Sequence, residues 1–212
     1  MQVAVFGATG RIGRQVTQQC LAAGHDLRAL VRTPEKLTLV HPRLAVRAGE
    51  LADAMAVRET VHGADAVISA LGPSLRPDAH GTPVAEGTRR IVAAMQQEGV
   101  RRFVGIVTAS IPDAHDRPSF RGRALPVMAT LLFPNALDEL RGMAAAVSGS
   151  GLDWTLARII SLTGRLAKGT VRAGFLGRDD VGWTITRADV AAFLVAQLDD
   201  DTYVKAAPVI SN

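Results

Sequence analysis

Short apolar runs alternate along the chain with longer segments in which apolar residues recur at helical spacing. The run Val3–Phe6 is rich in β-branched residues, whereas Ile12, Val16 and Cys20 recur at the spacing of one helix face between polar residues. The predicted strands are Val3–Phe6, Leu27–Val31, Leu44–Val46, Ala66–Ala70, Phe103–Val107 and Leu152–Ala157. The predicted helices are Arg11–Ala23, Asp53–Val61, Pro83–Gln97, Leu137–Ser148 and Thr186–Leu198.

Strands that alternate with helices of this length predict βαβ units and therefore a parallel sheet. The strands are apolar throughout, which is typical of a sheet covered on both faces. We predict an α/β fold with a Rossmann-like, doubly wound parallel sheet, formed by residues 1–212 as a single domain. From about residue 160 the pattern changes to short β-like pieces, and we expect a small C-terminal lobe over the carboxyl edge of the sheet. Ile111–Pro134 mixes prolines, arginines and apolar residues without clear periodicity, and we expect a mobile lid there.

A glycine-rich turn, GATGRIG, follows the first strand and opens the first helix. Its spacing, G-x-x-G-x-x-G, is a variant of the dinucleotide fingerprint, in which absent side chains let backbone N–H groups approach a pyrophosphate. The free amides at the start of the helix then hold the anion. The strand–turn–helix context favours dinucleotide binding over a merely tight turn. The candidate cofactor-binding residues in this turn are Gly7, Thr9, Gly10, Arg11, Ile12 and Gly13.

The second strand ends at Val31-Arg32, where an NAD-specific site would carry an acidic residue for the ribose hydroxyl. A guanidinium cannot accept that hydrogen bond, but it pairs with a 2′-phosphate. Arg32 therefore favours NADP(H) over NAD(H), unless it is an ordinary solvated arginine. The next two loops also fall at the carboxyl edge, where ligands bind in open α/β sheets. Their candidate cofactor contacts are Leu51, Ala70, Leu71 and Gly72.

Together these motifs resemble the atypical short-chain dehydrogenase/reductase group. The resemblance is to its NmrA-like NAD(P)H-binding proteins and its NAD(P)H–flavin reductase (biliverdin IXβ reductase) type. It is carried in order by GATGRIG, ALVRTPEKL, GADAVISALG, RRFVGIVTAS, SGLDWTLAR and ITRADVAAFL, which cover nearly the whole chain. It implies a nicotinamide cofactor but does not specify a substrate.

The chain lacks the Tyr-x-x-x-Lys pair that ordinary short-chain dehydrogenases carry. That pair would fall at Ala136 and Leu140, and the single tyrosine of the chain is Tyr203. Hydride addition to a ketone forms an alkoxide that needs a positioned acid. A flavin or quinone spreads the charge over its ring instead. The missing pair therefore favours a conjugated acceptor, or no chemistry at all.

Three residues near the expected nicotinamide site are candidates for a catalytic role: Thr108, Ser110 and Arg158. Thr108 stands where the family usually has a serine, and the alternative is a threonine that bonds its own loop. Arg158 could pair with an anionic acceptor, and a structural ion pair is the alternative.

Composition narrows the classes of partner. The formal net charge is +4, but the 24 Lys and Arg residues are scattered and form no basic face, which argues against nucleic acid and for small anionic partners. The single cysteine excludes a disulfide framework, and the five histidines lack metal-ligand spacing. No run reaches the roughly 18–20 apolar residues of a membrane helix, and the N-terminus lacks a signal-peptide pattern. We expect a cytoplasmic protein, monomeric or weakly dimeric, that does not bind membranes.

Two functions remain open. The first is an NADPH-dependent reductase that transfers hydride to a flavin, quinone or tetrapyrrole-like acceptor. The alternative is a non-catalytic, NmrA-like sensor that holds NADP(H) and signals to a protein partner.

Overall fold

The computed structural model describes residues 1–76 and 80–212. Every strand and helix predicted from the sequence is present, with shifted boundaries. The strands are β1 (Gln2–Phe6), β2 (Asp26–Val31), β3 (Leu44–Ala48), β4 (Ala66–Ser69), β5 (Arg102–Thr108), β6 (Asp153–Ile159), β7 (Ser161–Thr163), β8 (Arg172–Gly174), β9 (Thr184–Thr186) and β10 (Val209–Ser211). The helices are α1 (Arg11–Ala22), α2 (Ala54–Val61), α3 (Pro83–Glu98), α4 (Phe120–Leu132), α5 (Pro134–Ser148) and α6 (Arg187–Ala196).

Eight strands form one sheet in the order β3-β2-β1-β4-β5-β6-β10-β8, with only β8 antiparallel to its neighbour. The order reverses direction at β1, as in a doubly wound Rossmann sheet, and the predicted fold class is confirmed. The reversal leaves a crevice at the carboxyl ends of the strands, where such sheets bind ligands. No helix in the described ranges is both long enough and apolar enough to cross a bilayer.

Side chains alternate across the sheet and build two buried layers. Val3 and Val5 of β1 face the layer that contains α1 and α6, whereas Ala4 and Phe6 face the layer that contains α2, α3 and α5. Cys20 lies in the first layer, and burial raises the pKa of its thiol to about 12. The thiol is therefore protonated at neutral pH and acts as an apolar packing group.

The C-terminal third contributes more than the small lobe that the sequence predicts. β10 pairs in parallel with β6, β8 pairs with β10, and β7 and β9 form a separate parallel pair. Thr186 caps α6, since its Oγ1 accepts a hydrogen bond from the N–H of Asp189 at 3.1 Å. The sequence contains no periodic signal for strands of three residues, so only the folded chain shows that β8 and β10 extend the sheet.

Asp189 holds a neighbouring loop against α6. Its carboxylate accepts hydrogen bonds from the backbone N–H groups of Lys168 and Gly169, at 2.9 and 3.0 Å. It also accepts from the Thr186 hydroxyl and from the Asn212 amide. Burial alone would raise the pKa of Asp189, but these hydrogen bonds outweigh burial and hold the pKa below its ordinary value.

The segment 111–134, which shows no clear periodicity in the sequence, forms the helix α4 in its second half. Ser119 caps this helix by accepting a hydrogen bond from the Gly122 N–H at 3.1 Å, and Pro126 lies inside it. An internal proline usually breaks a helix, which is why the sequence suggests an interruption. One face of α4 is formed by residues that recur at helical spacing and line a cavity: Leu125, Met128, Ala129 and Leu132.

A buried carboxylate joins α5 to the start of α3. Glu139, 5% exposed, accepts hydrogen bonds from the backbone N–H groups of Val84 (3.2 Å) and Ala85 (2.7 Å). Thr82, at the N-cap position of α3, makes no side-chain capping bond. Glu139 therefore acts as the cap of α3 from a distant part of the chain.

Glu139→Ala should lower the free energy of unfolding by about 2 kcal/mol, because a cap is lost and two backbone donors lose their acceptor. Asp138→Ala is the matched control, since Asp138 lies beside Glu139 on α5 in an exposed ion pair with Arg141. Its effect should stay below about 0.5 kcal/mol. Denaturant titrations measure both. Equal losses in the two variants would contradict the capping role.

Candidate active site

A cavity of about 390 Å³, the first cavity, lies at the carboxyl ends of β1, β2, β3 and β4. The residues that the sequence predicts for a cofactor and that line it are Gly7, Thr9, Gly10, Arg32, Leu51, Ala70, Leu71 and Gly72. They come from four separate loops. The sheet topology therefore gathers at one place the positions that sequence reasoning assigns to one ligand.

The glycine turn forms one wall of the first cavity. Gly7 has a φ of +82°, which L side chains rarely adopt, and the N–H of Gly10 donates to the carbonyl oxygen of Gly7 at 3.0 Å. A Cβ on Gly13 would lie 2.0 Å from that oxygen, whereas a Cβ on Gly10 would lie 3.2 Å from it and otherwise meet open space. Gly13 is thus required for packing of the turn, and Gly10 faces the first cavity.

The N-terminus of α1 leaves backbone donors available. The first helical hydrogen bond runs from the Arg14 N–H to the Gly10 carbonyl, so the N–H groups of the three preceding residues have no helical acceptor. Gly10 offers no capping side chain, and the first turn carries no acidic residue. The side chains of Arg11 and Ile12 lie outside the lining of the first cavity, so only their backbone can serve an anion there.

Arg32 is exposed at the end of β2 and lines the first cavity. Within residues 1–76 and 80–212, its guanidinium forms no hydrogen bond or ion pair, so the charge is available to a ligand. Three charged residues that the sequence analysis does not assign also line this cavity: Glu50, Glu86 and Arg90. Glu50 follows β3 in the same way that Arg32 follows β2, and this position at a strand end could have identified Glu50 from the sequence. Arg90 lies 3.9 Å from Glu86 one helical turn away, and only the orientation of α3 reveals this pair.

A second cavity, of about 270 Å³, lies where β5 and β6 end, under α4 and α5. The loop after β4 borders both cavities, because Ala70, Leu71 and Gly72 line the first and Leu75 lines the second. The described lining of the second cavity is Leu75, Thr108, Ala109, Ser110, Leu125, Met128, Ala129, Leu132, Phe133, Ala136, Leu137, Leu140, Ile159 and Ile160. It contains no charged side chain.

Thr108 and Ser110 supply the side-chain hydroxyl groups of this second cavity. The Ser110 Oγ lies 3.3 Å from the Leu125 carbonyl and donates to it. The Thr108 Oγ1 is buried and, in the described part of the chain, has no hydrogen-bond partner. A buried polar atom without a partner costs free energy, and rotation of the Thr108 side chain, which lines the second cavity, would offer this hydroxyl to a bound molecule.

Arg158 does not reach the second cavity, and its predicted contact with an acceptor is wrong for this structure. Its side chain is 0% exposed and forms two hydrogen bonds with the Asp116 carboxylate, both at 2.6 Å. It also donates to the carbonyl oxygens of Ala207 and Ile111. Burial would raise the pKa of Asp116, but the Arg158 guanidinium and two backbone N–H groups outweigh burial and lower that pKa. Arg158 and Asp116 therefore form the structural ion pair that the sequence left open as the alternative. The pair attaches the loop after β5 both to β6 and to the segment before β10.

The arginines of the expected lid do not line either cavity: Arg117, Arg121 and Arg123. Arg121 donates to the Val181 carbonyl at 2.6 Å and stacks over the Trp183 ring at 4.2 Å. Ala136 and Leu140 do line the second cavity, so its wall is aliphatic where ordinary short-chain dehydrogenases would have the tyrosine and lysine. Tyr203 lies elsewhere and donates to the Ala173 carbonyl at 3.2 Å.

The geometry fits a dinucleotide that extends from the first cavity towards the second. Gly7 and Gly10 provide a close backbone approach, α1 provides uncapped N–H groups, and the Thr108 Oγ1 is a partnerless polar atom beyond the loop after β4. The fourteen described residues that line the second cavity enclose about 270 Å³, which leaves room for a further small molecule.

Comparisons with known proteins agree with this geometry. A family model described as NAD(P)H-binding matches residues 7–201. The chain is 31% identical over 204 residues to a (4-alkanoyl-5-oxo-2,5-dihydrofuran-3-yl)methyl phosphate reductase of Streptomyces griseus, a match that covers 92% of this chain and 62% of that protein.

Solved structures show the same fold. A short-chain dehydrogenase/reductase of Veillonella parvula in complex with NADP superimposes with a TM-score of 0.78 at 18% identity and covers 100% of this chain and 94% of that one. ChuY, an anaerobillin reductase of Escherichia coli, superimposes with a TM-score of 0.78 at 19% identity and covers 99% and 96%. The family resemblance predicted from the sequence is confirmed.

Gly10→Val should abolish dinucleotide binding and leave the thermal unfolding midpoint nearly unchanged, because its side chain would enter the first cavity and not the core. Gly13→Val should lower the midpoint as well, because its Cβ would overlap the Gly7 carbonyl. Calorimetric titration with NADPH and a thermal scan measure the two effects. Wild-type affinity in a folded Gly10→Val protein would rule out the first cavity as the dinucleotide site.

Proposed function

The chain belongs to the NAD(P)H-binding family, and we propose that it is an NADPH-dependent reductase that transfers hydride to a small conjugated acceptor. The observation that carries the proposal is the buried, partnerless hydroxyl of Thr108, a residue of the second cavity, whose described lining has no charged side chain and shares the loop after β4 with the first cavity. The Streptomyces griseus relative and ChuY are both named as reductases, which supports this reaction class.

NADPH, when bound, supplies a hydride, which is one hydrogen with two electrons, and the acceptor completes its reduction with one proton from water. The glycine turn and the start of α1 hold the pyrophosphate by backbone N–H groups. The aliphatic walls of the second cavity reduce the contact of the reacting atoms with water, and its half-exposed side along α4 leaves access for the water that supplies the proton. Rate enhancement then comes mainly from holding the two reactants at contact distance.

The Thr108 hydroxyl orients one of the two reactants in this proposal. It lies at the end of β5, and its Oγ1 can donate either to the carboxamide of the cofactor or to a carbonyl of the acceptor. Ser110 is less available, because its hydroxyl donates to Leu125.

The wall at positions 136 and 140 favours a conjugated acceptor over a ketone. Ala136 and Leu140 carry no acid for a developing alkoxide, and the second cavity holds no other acidic or basic side chain among its described residues. A conjugated ring delocalises the added electrons and can be protonated by water. The same aliphatic wall also suits the alternative function, an NADP(H) sensor that catalyses no reaction.

The first cavity also favours NADPH over NADH in this proposal. Arg32 lines the first cavity at the end of β2, without a hydrogen bond or ion pair to the rest of the described chain. A guanidinium in that position pairs with the 2′-phosphate of NADPH, a group that NADH lacks.

Arg32→Ala should weaken NADPH binding by about 10- to 150-fold, the equivalent of a charge-assisted hydrogen bond of about 1.5–3 kcal/mol. NADH binding should stay nearly unchanged. Because Arg32 is exposed, the NADPH preference should also shrink as salt rises. Arg89→Ala serves as the control, since Arg89 is exposed on α3 and outside the first cavity. Equal affinities for the two cofactors in the unmutated protein would contradict the assignment.

Thr108→Val should lower the turnover number for conjugated acceptors by about 2- to 13-fold, the value of one neutral hydrogen bond. Thr108→Ser keeps the hydroxyl and should restore most of the rate. NADPH oxidation with a panel of flavins, quinones and biliverdin measures the effect, and calorimetry checks that NADPH still binds. If the protein binds NADPH tightly and oxidises it with no member of the panel, the sensor function replaces the reductase.

A further inference from the structure

We propose that the acceptor is a small, uncharged, quinone-like ring, and that the second cavity excludes rings that carry an anionic group. This inference rests on the proposed reductase function and names the substrate class of the same site. It departs from the expectation, based on net charge, of an anionic partner.

The walls of the second cavity offer nothing to balance a charge. Its described lining is aliphatic or aromatic apart from two hydroxyls, and one of these, on Ser110, donates to a backbone carbonyl. A carboxylate or sulfonate placed there would lose its water and gain no cation, which is strongly unfavourable. An uncharged carbonyl needs only one donor, and the Thr108 hydroxyl can supply it.

Two arginines near the second cavity have other partners. Arg158 is fully buried in its pair with Asp116, and Arg121 is bound to the Val181 carbonyl and the Trp183 ring. Neither contributes to the lining of the second cavity. Because its described lining holds no cation, the overall positive charge of the chain does not offset the cost of burying an anion inside this cavity.

The volume of the cavity limits the size of the ring. At about 270 Å³, the second cavity lies just below the roughly 300–1,000 Å³ of common ligand sites. One or two fused rings are therefore favoured over a tetrapyrrole, for which α4 would have to move.

An outer cavity of about 300 Å³ adjoins the second cavity and shares Leu75, Leu132, Phe133 and Ala136 with it. Its other lining residues include Ser74, Arg76 and Asn135. A polar substituent can therefore extend outward from the ring, but the reducible ring itself must be uncharged.

The cavity-facing side of α4 is apolar and incompletely covered. Met128 and Leu132 are 53% and 62% exposed although both line the second cavity, and Phe133 beside them is 46% exposed. A flat apolar ring would cover these side chains and remove apolar surface from water on binding. The same surface would gain nothing from a charged, strongly hydrated ligand.

The reaction of such a ring balances with the proposed cofactor. The C–H bond of the hydride donor breaks, and its hydrogen and electron pair pass to one carbonyl oxygen of the quinone. The second carbonyl oxygen takes a proton from water, which yields the neutral hydroquinone. Two electrons are transferred, and no further oxidant or reductant is needed.

A matched pair of probes tests the inference: an uncharged naphthoquinone and the same compound with a sulfonate on its quinone ring. Calorimetric titration of the protein without added cofactor measures binding without turnover and avoids the pyridinium charge of NADP⁺, and kcat/KM with NADPH is measured in parallel. The uncharged probe should bind at least about tenfold more tightly, because only the sulfonate must lose its hydration in the cavity.

Met128→Arg should reverse this preference, because it places a cation on the cavity-facing side of α4 at a half-exposed position that tolerates it. Leu131→Arg is the matched control. Leu131 is 77% exposed on the same helix and does not line the second cavity, so both affinities should stay unchanged.

Three results would overturn the inference: tighter or equal binding of the sulfonate to the unmutated protein, binding of neither probe, or the same change in affinity in both arginine variants. The binding arm is independent of the reductase function. If the uncharged probe binds selectively but NADPH is not oxidised, the cavity assignment stands and the reductase function fails.

Discussion

The close contact between α1 and the end of β1 determines where every other part of the site lies. The backbone at Gly13 packs so tightly on the Gly7 carbonyl that a Cβ would come within 2.0 Å of the oxygen. This contact places the uncapped start of α1 directly beyond β1, the central strand at which the sheet order reverses. The loops after β2, β3 and β4 then open onto the same crevice, because parallel strands end at one edge.

Buried charges in this protein serve structural roles around that crevice. Glu139 caps α3 from α5, Asp189 holds the 168–169 loop, and Arg158 attaches the segment after β5 through Asp116. In each case hydrogen bonds compensate the loss of hydration, which is the condition under which buried ionic groups persist. In the described lining of the second cavity, which is bordered by the same elements, the polar side-chain groups are the hydroxyls of Thr108 and Ser110.

The two cavities therefore have different chemical character along one sheet edge. The first contains Arg32, Arg90, Glu50, Glu86 and backbone donors, which suit a charged dinucleotide. The second is apolar, with the Thr108 hydroxyl as its available donor, which suits proximity catalysis on a ring that needs no acid.

The sequence alone determined the strands β1 to β6, the helices α1, α2, α3, α5 and α6, and the glycine turn. It also predicted that Arg32, Leu51, Ala70, Leu71 and Gly72 lie at one edge of the sheet, and they line one cavity. These features are local: apolar periodicity, glycines next to a strand, and the rule that parallel strands end at the same edge, so no long-range contact is needed to identify them. Only the tertiary structure decided the rest. Arg158 was a candidate for substrate contact until its partner Asp116 was located, and that partner lies 42 residues away in the chain. Long-range packing likewise decided the short strands β8 and β10, the helix around Pro126 and the absence of charge in the described lining of the second cavity. Such packing overrides local propensity, and it leaves no periodic pattern in the sequence.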